Sequence, residues 1–112
     1  MKTISKGPAR AGLAAIALAA ALLASPAPAA SPVDVGIKDF SFAPSPLTVA
    51  PGTTVTWTNH DEETHTITST SGAFGSAGLD LGEEYAHTFS TPGVYPYTCD
   101  LHPFMRGTIV VN

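Results

Sequence analysis

The stretch "PGVYPYTCDLHPFMRGTIVV", residues 92–111, carries the strongest indications of the fold. It opens with a Pro-Gly turn, continues through valine and tyrosine, and ends on the β-branched run GTIVV. β-Branched and aromatic residues favour strands, and Pro-Gly marks a turn. Between the two segments lies a short loop with Cys99, the only cysteine of the 112 residues, and Met105, the only methionine after the initiator. We predict a strand, a sulfur-containing loop and a closing strand.

The chain upstream of this stretch has the same texture of short strands and turns. Residues 33–38 alternate apolar with polar or small side chains, the period of a half-buried strand. Residues 70–82 are rich in glycine and are predicted to form a long loop or a weak edge strand. Further strands are predicted in SPLTVAPGTTVTWTN, HTITS and EYAHTF. About seven or eight short strands indicate an all-β domain, an antiparallel sandwich or barrel, and we interpret it as one β-sandwich.

The first 29 residues have the three parts of a secretory signal peptide. Their start is basic, an apolar run occupies residues 11–24, and Ala27-Pro28-Ala29 offers small side chains to a signal peptidase. We expect cleavage after Ala29, with Ala30 as the alternative, and a single exported, soluble domain over residues 30–112. An uncleaved membrane anchor is the competing interpretation, but the run is shorter than the roughly 20 residues that span a bilayer.

Removal of the signal would leave a strongly acidic protein. Of the basic residues only Lys38 and Arg106 lie beyond residue 29, whereas all nine acidic residues do, which gives a net charge of −7 with neutral histidines. Binding to nucleic acid or to anionic lipid depends on lysine and arginine, so this charge argues against both. An acidic surface favours docking to a basic protein surface.

The loop of residues 99–105 offers three different metal donors at a spacing of three. Cys99 supplies a thiolate, His102 an imidazole and Met105 a thioether. Iron–sulfur clusters require about four cysteines, and structural zinc sites do not use methionine. One cysteine, one methionine and two histidines are the ligands of blue-copper electron-transfer centres. We therefore predict one copper ion in this loop, with a further histidine from elsewhere.

Three other histidines could complete such a site. His65 stands at the start of a predicted strand, where its ring can turn inward at one end of the sandwich. His60 lies on the preceding turn beside an acidic run and is expected to be solvated. His87 alternates with Tyr85 and Phe89 and is expected to be a half-buried, hydrogen-bonded residue. We favour His65 as the fourth ligand.

Each member of the loop also has an ordinary explanation. A cysteine at a strand end can be a small buried hydrophobe, a methionine can fill a core, and a histidine can lie on a surface turn. The joint spacing, in a chain without any other cysteine or methionine beyond the signal, favours metal binding.

The same residues carry a resemblance to a known family. The stretch of residues 92–111, with "PGTTVTWTNHDEETHTI" upstream, resembles the cupredoxins, the plastocyanin/azurin family of small blue copper proteins. The short C-x₂-H-x₂-M loop followed by arginine and glycine is similar to that of the amicyanin-like subgroup. Two positions depart from that pattern, since Leu101 stands where relatives often have proline and Asp100 where threonine or serine is common.

This resemblance implies both a fold and a set of contacts around the metal. It implies an eight-stranded Greek-key sandwich with copper near one end, and it supports His65 as the first ligand. In relatives the asparagine that matches Asn59 ties the two ligand loops together. The backbone N–H that matches Thr66 donates toward the cysteine sulfur, and contacts of this kind orient ligands and tune a metal.

These observations predict a one-electron carrier rather than an enzyme. Copper would cycle between Cu(I) and Cu(II), and electrons would pass through the exposed ring edge of His102 to redox partner proteins. Pro103 and Phe104 would form the apolar docking patch around that edge, and we expect a monomer. Extracytoplasmic copper delivery is the alternative function. Copper oxidases and nitrite reductases need further copper centres and usually more domains, and a metal-free binding module requires the ligand loop to be a coincidence.

Overall fold

The computed structural model describes residues 31–112, so the predicted signal peptide, residues 1–29, lies outside the described residues. The described part contains eight strands and no helix. No helix in it is therefore long and apolar enough to cross a membrane. The strands are β1 (Val33–Lys38), β2 (Ser41–Ala43), β3 (Leu47–Val49), β4 (Thr53–Asn59), β5 (Thr68–Ser69), β6 (Glu84–Phe89), β7 (Gly93–Thr98) and β8 (Arg106–Val111).

The strands form two four-stranded sheets, and the predicted β-sandwich is confirmed. One sheet has the order β2-β1-β4-β6 and the other β3-β8-β7-β5. The pairing is not purely antiparallel as we expected, because β1 pairs with β4 and β3 pairs with β8 in parallel. Between the two strands of each parallel pair the chain crosses to the opposite sheet and returns. This crossing allows both strands to run in the same direction. The alternation of apolar and polar residues along a strand does not indicate such crossings between sheets.

The core lies between the sheets and is built around aromatic rings. Alternate residues of β4 point inward, so Val55, Trp57 and Asn59 are completely buried. The Trp57 ring packs 5.4 Å from that of Tyr97 and 6.0 Å from that of Phe74, measured between ring centroids. These rings join one sheet to the other and form a rigid base for the loops at the end of the sandwich.

Residues 70–82 form the predicted long loop, but they are closely packed. Phe74 and Leu79 are buried, and Leu79 makes a two-way backbone bridge to His65. Only Thr68 and Ser69 of the predicted strand HTITS belong to a strand, while Thr68 bridges Gly75 across the loop. The loop therefore covers one edge of the core and supports the backbone of His65.

The stretch VDVGIKDFSF turns back on itself as a hairpin of β1 and β2. Its alternating residues Val35 and Ile37 are fully buried, as the pattern predicts. Asp39 and Phe40 form the two-residue turn with φ of 52° and 56°. Positive φ at both central residues is the type I′ pattern, usually built from asparagine, aspartate or glycine. A phenylalanine in this conformation is unusual.

Candidate copper site

The predicted ligand loop joins β7 to β8 at one end of the sandwich. Cys99 follows the last residue of β7, and Met105 precedes the first residue of β8. The loop closes on itself, since the N–H of Cys99 donates to the carbonyl of Met105 at 3.3 Å, and the N–H of Met105 donates to that of His102 at 2.9 Å. The spacing of three thus corresponds to a tight turn that brings the residues to one point.

Three donor atoms converge at that point. Nδ1 of His65 lies 3.2 Å from Nδ1 of His102, and Cys99 Sγ lies 3.9 Å and 3.6 Å from these two nitrogens. The triangle has a common centre about 2.1 Å from each atom, within the range of about 2.0–2.3 Å at which nitrogen and sulfur bind zinc, a comparable ion. The arrangement therefore has the size of a metal site.

Burial divides the candidate ligands into two groups. His65 and Cys99 are completely buried, and Met105 is 2% exposed beside them in the core. His102 is only half-buried. A metal held here would be shielded from water on most sides. His102 would be the ligand that connects it to the protein surface.

Thr66 connects the two loops that carry the donors. Its backbone N–H donates to Cys99 Sγ at 3.3 Å, the contact that the family resemblance implies. Its hydroxyl also accepts a hydrogen bond from the N–H of Asp100 at 2.8 Å. This second contact fixes the start of the ligand loop against the segment that holds His65.

Asn59 makes different contacts from those that the resemblance implies. Its amide group donates to the carbonyls of Glu63 and Leu79, both at 2.8 Å, and its side-chain oxygen accepts from the N–H of Asp61. Within residues 31–112 its side-chain hydrogen-bond partners all lie at positions 61–79, and none lies in the Cys99 loop. Asn59 instead shapes the turn that leads to His65, and Thr66 makes the connection between the ligand loops.

Asp61 has a role that the sequence analysis missed. Its carboxylate accepts hydrogen bonds from the N–H groups of Asp39 and Phe40 at 2.7 and 2.9 Å, and Nε2 of His65 lies 2.9 Å from it. Burial would raise the pKa of Asp61, but the bonds from Phe40, Asp39 and His65 outweigh it, so the pKa is lowered. The signals in the sequence were its place four residues before His65 and its match, with Trp57 and Asn59, to the W-x-N-x-D pattern of the resembled family.

The other two histidines lie away from the donor group. His60 is exposed, and its ring lies near Gly36 on the hairpin. His87 is half-buried beside Phe74 and Phe89, at centroid distances of 5.0 and 4.8 Å, and its side chain makes no hydrogen bond within residues 31–112. It is therefore held by aromatic packing and not by the hydrogen bond that we expected. The histidine that lies together with Cys99 and His102 is therefore His65, and His60 and His87 are not part of this group.

Comparison with known proteins agrees with this geometry. The family profile described as a cupredoxin-like domain matches residues 12–111. Amicyanin from Paracoccus denitrificans is 36% identical over 83 residues, 70% of this chain and 63% of that protein, and amicyanin-alpha from Methylorubrum extorquens is 34% identical over 91% and 94% of the two chains. A purple cupredoxin from Nitrosopumilus maritimus superposes with a TM-score of 0.67 at 33% identity, covering 71% of this chain and 99% of its own. The chain belongs to the cupredoxin-like family.

One similar structure is an enzyme. A copper-containing nitrite reductase from Thermus scotoductus superposes with a TM-score of 0.68 at 34% identity. The match covers 72% of this chain but only 22% of the enzyme, so the similarity concerns one part of a much larger protein.

The donor chemistry fits the family's metal. A thiolate, two imidazoles and a nearby buried thioether match a type 1 copper centre and lack the extra cysteines or histidines of structural zinc. Copper is accordingly the cofactor that these residues fit, one ion per chain.

Proposed function

We propose that this protein is an exported one-electron carrier whose type 1 copper is held by His65, Cys99, His102 and Met105. The observation that supports this most strongly is the triangle of two imidazole nitrogens and the buried cysteine sulfur at one end of the sandwich. Bound copper would supply the Cu(I)/Cu(II) couple. A site whose ligands are fixed by packing and hydrogen bonds rearranges little between oxidation states, which favours rapid electron transfer.

The proposed route for electrons is through His102. It is the half-buried member of the group, whereas His65 and Cys99 have no exposed surface. Around it lie Pro103, Leu101 at 55% exposure and Phe104 at 68%. Exposed apolar side chains grouped in this way are typical of docking surfaces. We propose that a redox partner covers this patch and approaches the His102 ring edge.

The acidic residues would act on the partner at longer range. Glu62, Glu63, Asp80 and Glu83 are exposed in two neighbouring loops, and Glu84 is exposed at the start of β6. A hydrogen bond between Thr64 and Asp80 joins the two loops. Such a charge distribution attracts basic partner surfaces and accelerates encounter at low salt. We propose a partner with a basic rim around an apolar contact.

A catalytic function and a copper-delivery function are less well supported. The described residues form one sandwich with a single group of metal-binding side chains, whereas the similar nitrite reductase is several times longer. Delivery requires ready release of copper, but the site's cysteine and one histidine are fully buried. We therefore propose that the protein is not an enzyme and that it retains its copper.

Export and monomeric state are further parts of the proposal. The leader composition of residues 1–29 supports secretion to a periplasm or to the medium, with a single domain over residues 30–112. Mass spectrometry of the purified protein would identify the first residue. Sedimentation of the copper-loaded protein would measure its mass in solution.

The electron-transfer claim can be tested by stopped-flow oxidation. The reduced, copper-loaded protein is mixed with a positively charged cobalt complex, and the rate is followed by the blue absorbance as salt increases. We expect a rapid single-electron reaction that slows with salt. A Phe104→Glu variant should keep the blue colour and lose electron exchange with a protein partner. A copper-loaded protein that does not exchange electrons would contradict the proposal.

A further inference from the structure

One aromatic ring outside both ligand loops touches both histidines of the site. The Phe40 ring centroid lies 5.0 Å from that of His65 and 4.9 Å from that of His102, with interplanar angles of 84° and 87°. The Phe40 ring also stacks with that of Phe104, at a centroid distance of 6.3 Å and an interplanar angle of 22°. Edge-to-face contacts at these distances are favourable and directional. Phe40 therefore lies against the metal site, not merely near it.

The backbone conformation of Phe40 is energetically unfavourable for a residue with a side chain. Its φ of 56° lies in the left-handed region, where glycine or asparagine is normally found and a bulky residue is an outlier. The turn is held in this conformation by Asp61, whose carboxylate accepts the N–H groups of both Asp39 and Phe40. The same carboxylate lies 2.9 Å from Nε2 of His65. One side chain thus fixes the turn and a candidate ligand together.

The two histidines differ in what orients them. His65 is held at Nε2 by Asp61. For His102, the contacts within residues 31–112 are between Nδ1 and the other two donor atoms, and no hydrogen bond to this part of the chain holds Nε2. What remains to orient the His102 ring is aromatic packing from Phe40 and from Phe104, the latter at 6.0 Å. Since Phe104 is 68% exposed, Phe40 is the better anchored of the two.

We propose that Phe40 is a positioning residue for the copper site: its ring, fixed by the Asp61-bound turn, sets the orientation of His102 and keeps small external ligands away from the metal. This inference rests on the proposed function, because it assumes that copper binds between His65 and His102. It assigns a purpose to the left-handed phenylalanine at the tip of the hairpin, because the ring contacts both imidazoles from that position. It also explains why glycine, which suits the left-handed turn but has no ring, would not replace Phe40 in this role.

The test compares variants that separate the ring from the backbone. Phe40→Gly keeps a residue suited to the left-handed turn and removes the ring, while Phe40→Leu keeps apolar bulk without an aromatic face. Phe40→Tyr restores the ring, and Asp39→Gly is the matched control for relaxing the turn. Phe104→Ala removes the second, more exposed ring that packs against His102.

The probe is imidazole, titrated into the copper(II)-loaded protein while the visible spectrum and the copper hyperfine splitting in electron paramagnetic resonance are recorded. Phe40→Gly and Phe40→Leu should bind imidazole about tenfold more tightly than the unmodified protein, the size expected from losing two aromatic contacts. Phe40→Tyr and Asp39→Gly should stay close to the unmodified protein, and Phe104→Ala should change less than Phe40→Gly. In the metal-free protein, proton resonances of the His102 ring should lose the ring-current shift from Phe40 in Phe40→Gly and Phe40→Leu and keep it in Phe40→Tyr and Asp39→Gly.

The outcomes separate this inference from the proposed function. If the unmodified protein forms a blue copper site and Phe40→Gly has the same imidazole affinity and spectrum, Phe40 is not a positioning residue and the function stands. An equal effect of Phe104→Ala would overturn the specific role of Phe40 in the same way. An unmodified protein without a blue copper spectrum would overturn the function and this inference together.

Discussion

His65 Nε2 lies 2.9 Å from Oδ2 of Asp61, and both side chains are buried. An ionised carboxylate accepts hydrogen bonds and does not donate them, so the neutral tautomer of His65 that completes this contact carries its proton on Nε2. Nδ1 then presents its lone pair toward Cys99 and His102. The hydrogen bond thus selects the tautomer that a metal requires, as outer carboxylates do in other metalloproteins.

Asp61→Asn should weaken both the fold and the metal site. The amide has one acceptor oxygen for three N–H donors and directs its own N–H₂ group at one of them. We expect a loss of about 1–3 kcal/mol in unfolding free energy of the metal-free protein and a loss of about 10–100-fold in copper affinity. Urea titration and competition with a copper chelator measure these quantities. Glu62→Gln is the matched control at the next, exposed position, and a similar loss there would contradict the role of Asp61.

Thr66→Val should loosen the connection between the two ligand loops. It removes the hydroxyl that accepts from Asp100 but keeps the backbone N–H that points at Cys99 Sγ. We expect about 1 kcal/mol of lost stability and faster release of copper to a chelator, with little change in the colour of the bound metal. Thr54→Val, on an exposed hydroxyl pair far from the loops, is the control. Unchanged copper release in Thr66→Val would show that the hydroxyl contact is dispensable.

The sequence predicts those parts of the fold and of the site that depend on residues close together in the chain. Cys99, His102 and Met105 stand within seven residues, so their convergence follows from one tight loop. The role of Asp61 could not be read in this way, because its amide partners lie 21 and 22 residues earlier in the chain. The parallel pairing of β1 with β4 also depends on crossings between sheets that leave no trace in local alternation.

Stability should fall in mildly acidic solution because of His87. Burial beside aromatic rings lowers its pKa below 6.5, while the unfolded chain keeps the ordinary value. Below about pH 6.5 the unfolded state therefore binds more protons, and unfolding free energy declines as the pH falls. Urea midpoints of the copper-loaded protein at pH 7.5 and 5.5 should differ, and the difference should shrink in His87→Phe. It should persist in His60→Gln, whose side chain is exposed. An unchanged difference in His87→Phe would contradict this explanation.

Gly107→Ala should be strongly destabilising. Gly107 pairs with Tyr97 across β7 and β8, and the buried Tyr97 ring occupies the space where a Cβ atom would lie. Because the ring is enclosed, it cannot move aside, and we expect a cost of about 1–3 kcal/mol or more in unfolding free energy. Gly75→Ala is the control, since its Cβ would meet only the carbonyl of Ile67 at 3.7 Å. Equal urea midpoints for the two variants would contradict this packing.

The central claim is that His65, Cys99, His102 and Met105 hold one copper ion, and a copper titration followed by visible absorption tests it most directly. Copper(II) is added to the purified metal-free protein until the spectrum stops changing. We predict an intense thiolate-to-copper band in the orange-red that saturates at one equivalent. The band should disappear in Cys99→Ser and His65→Ala and persist in His60→Ala. A colourless protein with a Cys99 thiol that still reacts freely, or a band lost in His60→Ala instead of His65→Ala, would contradict the account.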